Sequence, residues 1–132
     1  MSRTGKARII TAATVLAVGM GVMSAAPAMA GDDEVIRQGN CSGRADWKLK
    51  AKTDDGRLEV EGEVDSNVNG QHWRWRILHD GNVSARGRAR TVGPSGSFSI
   101  ERRVVNAPGT DRIGWRAVNR ATGQTCRGGL RF

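Results

Sequence analysis

Apolar and polar residues alternate with a period of two in seven short runs between Trp47 and Phe132. No run shows the 3.6-residue period of an amphipathic helix. Clusters of Gly, Pro, Asn and Asp, the residues of tight turns, separate the runs. Short strands divided by turns at intervals of about ten residues are typical of an antiparallel β-sandwich. The pattern therefore predicts an all-β domain over residues 41–132.

The first two runs are separated by a turn sequence rich in Asp and Gly, which predicts a hairpin. With a four-residue loop over residues 53–56, Lys50 lies opposite Glu59 and Trp47 lies opposite Gly62. Opposite charges across a strand pair contribute a few tenths of a kcal/mol. An aromatic ring over a glycine also packs well, so both features favour this register.

The third and fourth runs form a second predicted hairpin, for which two registers are open. A two-residue loop, Asp80-Gly81, places Trp75 on the same face as Arg86 and leaves a tryptophan platform suited to stacking on sugars. A three-residue loop over residues 80–82 instead pairs Trp75 with Gly87. We favour the second register because it separates apolar from charged residues. It predicts that every tryptophan lies between the sheets, namely Trp47, Trp73, Trp75 and Trp115.

The sixth run resembles a strand of a known domain class. Within Trp115–Gly123, the residues Ala117, Asn119 and Gly123 match the sixth strand and following turn of fibronectin type III and related immunoglobulin-like domains. The tyrosine usual in that strand is absent, and Ile113 lies near its place. The resemblance implies a single seven-stranded immunoglobulin-like sandwich in which the third, fourth, sixth and seventh strands share a sheet. The whole chain is also similar to small secreted proteins of high-G+C Gram-positive bacteria.

Residues 1–30 have the organisation of a secretory signal peptide. Three basic residues precede the apolar run Ile9–Val22, and Ala28-Met29-Ala30 forms a small-x-small cleavage site. The apolar run is too short and too interrupted by glycine for a membrane anchor. We therefore predict a secreted, extracellular, monomeric protein with no membrane span, beginning with a flexible acidic tail over residues 31–40.

The sequence has two cysteines, Cys41 and Cys126. Two cysteines are too few for a structural zinc site, which needs four ligands. Thiols outside the cell are normally oxidised, and neither cysteine has the partner signature of a catalytic thiol. We predict one structural Cys41–Cys126 disulfide.

Catalytic chemistry is poorly supported. Only His72 and His79 could act as general bases near neutral pH, and no nucleophile motif or metal-ligand spacing accompanies them. We expect both histidines on the solvated surface. The sequence therefore predicts no catalytic residue, no metal, no cofactor and no enzymatic activity.

The distribution of charge is more informative. Removal of the three basic residues of the signal peptide leaves 18 basic and 13 acidic residues. Residues 31–65 contain ten acidic and six basic groups, whereas residues 66–132 contain three acidic and twelve basic groups. The alternation places seven arginines on the outward face of one sheet: Arg74, Arg76, Arg86, Arg88, Arg116, Arg127 and Arg131.

These arginines predict a non-enzymatic binding module, because guanidinium groups suit phosphate, sulfate and carboxylate oxygens. The expected partners are an anionic envelope polymer, an acidic polysaccharide or an acidic protein. Two alternatives stay open. The arginines could form a bare, solvated surface supplied by a G+C-rich genome, or the protein could be an inhibitor or small-ligand carrier that acts through the loops Asp65–Gly70 and Ala107–Asp111.

Overall fold

The computed structural model describes residues 33–132 as two antiparallel four-stranded sheets packed face to face. The predicted signal peptide lies outside these residues. The first sheet has the order β1-β2-β3-β6 and the second β5-β4-β7-β8. The strands are β1 (Glu34–Asn40), β2 (Asp46–Asp54), β3 (Arg57–Asp65), β4 (His72–His79), β5 (Asn82–Arg90), β6 (Ser97–Val105), β7 (Arg112–Asn119) and β8 (Thr125–Arg131). The prediction of an all-β sandwich is confirmed, with eight strands rather than seven. Over the same residues, the chain forms no helix with the length and apolar character needed to cross a bilayer.

The additional strand is β1, in the segment expected to be a flexible tail. That expectation is wrong for residues 34–40, which pair with β2 from Glu34 opposite Lys52 to Asn40 opposite Asp46. The sequence of this strand shows little alternation of apolar and polar residues. Its two apolar side chains are not in the core, since Val35 is only half-buried and Ile36 is 42% exposed. The strand forms because the edge of β2 offers backbone hydrogen-bonding groups, and those groups leave no pattern in the sequence of β1.

The first hairpin, β2–β3, has a shorter turn than predicted. Asp55 and Gly56 have φ values of 50° and 79° and form a two-residue turn. Lys50 therefore lies opposite Glu61, and Gly62 lies opposite Leu49. The predicted register is wrong by two residues. A two-residue turn with positive φ at both positions matches the strand twist, and this favours it over a longer loop. A shift of two leaves every side chain on its predicted face.

The second hairpin, β4–β5, combines features of both predicted registers. The turn is the two-residue Asp80-Gly81, yet Trp75 lies opposite Gly87, as the three-residue loop predicted. A β-bulge reconciles the two: Leu78 pairs with Val83, and the ladder then skips Ser84. The extra residue restores the separation of apolar and charged side chains.

The core between the sheets is built around aromatic rings. Trp73, Trp75 and Trp115 are at most 2% exposed, so the prediction is confirmed for these three. Trp75 and Trp115 stack with ring centroids 6.3 Å apart. Trp47 is only half-buried, and its ring covers Gly128 rather than Gly62. Because Trp73 and Trp75 are buried, they cannot form the exposed platform for sugars that the two-residue register predicted.

The predicted disulfide is confirmed. Cys41 and Cys126 are bonded, with their Cα atoms 4.2 Å apart. The bond ties the segment between β1 and β2 to β8, and therefore joins an edge of the first sheet to an edge of the second.

Candidate anion-binding face

The sheet β5-β4-β7-β8 carries the predicted arginines on its outer surface. Alternation places them there: Trp73, Trp75 and Ile77 of β4 are buried between the sheets, so the arginines between them point outward. The third, fourth, sixth and seventh of the predicted strands do share this sheet. The same alternation holds on β5, β7 and β8. The structure therefore brings all seven predicted arginines together on this surface: Arg74, Arg76, Arg86, Arg88, Arg116, Arg127 and Arg131.

Four of these arginines form one row across the sheet. Arg76 lies opposite Arg86 on one side and opposite Arg116 on the other, and Arg116 lies opposite Arg127. Because neighbouring strands are about 4.8 Å apart, the row is about 14 Å long. We call these four residues the arginine row. Arg74 and Arg88 are paired directly beside it.

This face carries two further arginines that are not among the seven predicted binding residues. Arg90 lies opposite His72 at the end of β5, and Arg112 lies opposite Arg131 at the start of β7. The alternation of β5 and β7 places both on this face. Arg90 follows Arg88 by two residues, and Arg112 precedes Arg116 by four, so each points to the same side as that predicted arginine. These two and the seven predicted residues are hereafter the arginine face.

The arginine face has no acidic partner in the part of the chain that the structure describes. Strands β4, β5, β7 and β8 contain no Asp or Glu. Between residues 33 and 132, no carboxylate oxygen lies within 4.0 Å of a guanidinium nitrogen of this face. The charge of the face is therefore available to an external anion.

Two lysines on the outer surface of the first sheet are paired with carboxylates. Lys50 Nζ lies 3.3 Å from Glu61 Oε1, and Lys52 Nζ lies 3.4 Å from Glu59 Oε1. The hydrogen bond and charge of Glu61 raise the pKa of Lys50 above its ordinary value of 10.5. The two outer faces of the sandwich therefore differ in the charge that they leave unpaired.

A shallow depression of about 620 Å³ lies over the centre of the arginine face. Arg116 at its floor is half-buried, and its Nε has no acceptor within the protein. Val118 adds a small apolar surface beside it. Five arginines from three strands line the depression, so an anion that enters it meets guanidinium groups from β4, β5 and β7.

The two loops considered as an alternative binding site do not converge. Asp65, before the first loop, lies opposite Ser97 at the start of β6, whereas the second loop follows Val105 at the other end of β6. The loops Asp65–Gly70 and Ala107–Asp111 are therefore at opposite ends of the sandwich.

The structure places the two histidines differently. His72 is exposed, as expected. His79 was also expected to be solvated, and this is wrong: its side chain is 17% exposed, and its Nε2 lies 2.6 Å from Asp111 Oδ1. Asp111 comes 32 residues later, so no local spacing in the sequence could have indicated the pair.

Comparisons with protein-family models, with curated proteins and with solved structures find no match for this chain.

Proposed function

We propose that this protein is a secreted, non-enzymatic binding module whose arginine face binds an anionic polymer. The observation that carries the proposal is the arginine row. Its four arginines lie side by side on four neighbouring strands, and no carboxylate is paired with them. The proposed partner is an anionic envelope polymer, an acidic polysaccharide or an acidic protein segment.

The electrostatics of the row support a ligand of opposite charge. Like charges directly opposed across strands destabilise a sheet, by roughly 0.2–1 kcal/mol per pair. The row contains three such pairs in succession. An anion that bridges neighbouring guanidinium groups would turn this repulsion into charge-assisted hydrogen bonds.

The cations of the arginine face are of one type. The first sheet carries both types, with Lys48, Lys50 and Lys52 on β2, Arg57 on β3 and Arg103 on β6. Strands β4, β5, β7 and β8 contain arginine and no lysine. Arginine binds phosphate, sulfate and carboxylate through two parallel hydrogen bonds, which lysine cannot do. The charged residues of the arginine face are therefore all of the type that binds oxyanions through two hydrogen bonds, which supports an anion-binding role.

The geometry of the face supports a polymer rather than a single small anion. The row extends for about 14 Å, and Arg74 and Arg88 widen it by a second pair. A ligand that neutralises several of these charges must carry several anionic groups along its length. Acidic polysaccharides and polyphosphate-type envelope polymers have this property.

The disulfide supports export, because structural disulfides persist outside the cytoplasm. The strand order supports the proposed immunoglobulin-like relationship. Without β1, the sheets read β2-β3-β6 and β5-β4-β7-β8, which is the arrangement expected of a fibronectin type III-like sandwich.

The test compares two triple variants that remove equal charge. The first changes Arg76, Arg86 and Arg127 to Ser and spares the half-buried Arg116. The matched control changes Lys48→Ser, Lys50→Ser and Lys52→Ser on the opposite sheet. Binding to heparin, as a model sulfated glycan, is measured by titration at about 50 and about 200 mM salt, where counterion release dominates the affinity.

We expect the wild type to bind and to weaken steeply with salt. The arginine variant should bind at least about tenfold more weakly and with a shallower salt dependence, and the lysine variant should stay close to the wild type. An equal loss in both variants would indicate a diffuse effect of net charge. No wild-type binding to heparin, teichoic acid or polyphosphate at low salt would reject the proposal in favour of a solvated surface.

A further inference from the structure

Three metal-ligating side chains meet at one end of the sandwich, away from the arginine row. His79 is the last residue of β4, Asp80 begins the following turn, and Asp111 directly precedes β7. One ligand atom from each residue lies within 4.8 Å of those of the other two. His79 Nε2 is 2.6 Å from Asp111 Oδ1 and 3.6 Å from Asp80 Oδ2. An imidazole nitrogen and two carboxylates therefore converge.

The carboxylate of Asp111 is the unusual member of this cluster. Asp111 is 0% exposed, and its Oδ2 has no hydrogen-bond partner. Its Oδ1 is directed at His79 and also accepts a hydrogen bond from the backbone N–H of Ala107, at 3.2 Å. A buried carboxylate oxygen without a partner is costly and calls for an ion or a water molecule. A cation at this place would satisfy it.

Backbone hydrogen bonds hold both carboxylates in position. Asp80 Oδ1 accepts from the backbone N–H of Arg112 at 2.9 Å, which leaves Oδ2 facing His79. Asp111 and Phe132 exchange two backbone hydrogen bonds, both between 2.8 and 2.9 Å. The ligands are therefore ordered by the fold itself, which reduces the entropy lost on binding an ion.

We propose that His79, Asp80 and Asp111 form a binding site for a divalent transition-metal ion, with Zn²⁺ as the best fit. Imidazole with carboxylate is a common zinc donor set, whereas Ca²⁺ and Mg²⁺ prefer oxygen alone. Two carboxylates balance the double charge of the ion. Asp80 is 46% exposed on its side chain, so water can enter and complete the coordination.

The distances require only a small adjustment. Bonds of about 2.0–2.2 Å to a tetrahedral ion separate the ligand atoms by roughly 3.3–3.6 Å. The separation of 3.6 Å between His79 and Asp80 is close to this value. The separation of 2.6 Å between His79 and Asp111 must widen as the metal takes the place of their shared hydrogen. The ion would tie the β4–β5 turn to the segment before β7 and stabilise the folded state.

The experiment uses the full secreted chain with its disulfide intact, stripped with EDTA and dialysed. ZnCl₂ is titrated by calorimetry, and thermal unfolding is followed with and without about 1 mM Zn²⁺. His79→Gln and Asp80→Asn test the site. Asn keeps the side-chain acceptor and is favoured before Gly in such turns, so Asp80→Asn should preserve the fold. His72→Gln is the matched control, because His72 is the other histidine of the sequence.

We expect one Zn²⁺ per chain and a rise in the unfolding temperature that increases with Zn²⁺. His79→Gln should weaken binding by more than about 100-fold and Asp80→Asn by about tenfold or more, since even outer-shell partners are worth 10–100-fold. His72→Gln should bind as the wild type does, and Zn²⁺ should shift the imidazole NMR resonances of His79 alone. Heparin binding should not depend on any of these changes.

Absence of both heat and thermal shift in the wild type would overturn the proposal. So would wild-type affinity in a folded His79→Gln variant, with folding checked by far-UV circular dichroism. Equal weakening by His72→Gln would place the ion elsewhere and would also reject the site.

Discussion

Substitution of Gly62 tests the packing of the core and distinguishes the observed hairpin register from the predicted one. Gly62 lies on β3 with Trp115 of β7 directly over it. A Cβ at this position would lie less than 3.0 Å from three ring carbons of Trp115. Carbon atoms normally approach to about 3.5–4.0 Å, so either the ring or the strand must move.

The ring has little room to move. Trp115 is 1% exposed and stacks on Trp75 at 6.3 Å, with Phe98 at 6.4 Å on another side. Overpacking in a closed core costs about 1–3 kcal/mol, and the confinement of Trp115 indicates the upper part of that range. Replacing a strand glycine by alanine returns roughly 0.5–1 kcal/mol of backbone entropy. We therefore expect Gly62→Ala to lower the free energy of unfolding by about 2 kcal/mol.

A double-mutant cycle identifies the ring responsible. Trp115→Leu should remove the clash, so that Gly62→Ala costs almost nothing in that background and the coupling energy is about 2 kcal/mol. Trp47→Leu is the control, because Trp47 lies over Gly128 instead. Gly62→Ala and Trp47→Leu should be additive to within about 0.5 kcal/mol.

Urea unfolding followed by far-UV circular dichroism measures these differences without relying on tryptophan fluorescence. A loss of about 2 kcal/mol shifts the midpoint by about 1 M, for a denaturant slope near 2 kcal/mol/M. The reasoning is refuted if Gly62→Ala costs less than about 0.5 kcal/mol. Coupling to Trp47 instead of Trp115 would restore the register predicted from the sequence.

Three further predictions concern the disulfide and the two outer faces. Replacing both Cys41 and Cys126 by Ala opens a closed loop of 85 residues. The chain-entropy model then predicts that the free energy of unfolding falls by up to about 4.6 kcal/mol. Calorimetry measures this change, and a fall of less than about 1 kcal/mol would contradict the prediction. Arg76→Thr relieves repulsion from the arginines on either side and should stabilise by about 0.5 kcal/mol, with the gain shrinking in urea titrations at high salt; a gain unaffected by salt would speak against repulsion. Glu61 raises the pKa of Lys50, so the ion pair stabilises the fold fully below the unfolded value of 10.5 and is lost as the pH rises through the higher folded value. Lys50→Met should therefore lower the free energy of unfolding by about 0.5 kcal/mol at pH 7. In urea titrations at strongly alkaline pH, the difference between this variant and the wild type should vanish.

The sequence by itself determined which side chains face the core and which face solvent. A strand alternates with period two, so the inward phase of Trp73 and Trp75 places Arg74 and Arg76 outward whatever the exact register. The composition of the arginine face was therefore readable from the chain, and Arg90 and Arg112 were within reach of the same reasoning. The disulfide was equally accessible, because two cysteines have one possible internal pairing and the signal-peptide pattern predicts an oxidising environment.

The tertiary structure decided what depends on contacts between distant segments. Edge pairing produced β1, although its own residues show little alternation. Turn geometry chose a β2–β3 register two residues away from the predicted one, and alternation cannot detect a shift of two. The bulge at Ser84 reconciled a two-residue turn with the β4–β5 pairing that alternation favours. Packing of the two sheets brought Trp115 over Gly62. The approach of Asp111 to His79 arises because β4 and β7 are neighbours in one sheet, so the turn that follows β4 meets the segment that precedes β7. Period two fixes the face of a residue, but only the assembled sheets determine its neighbour.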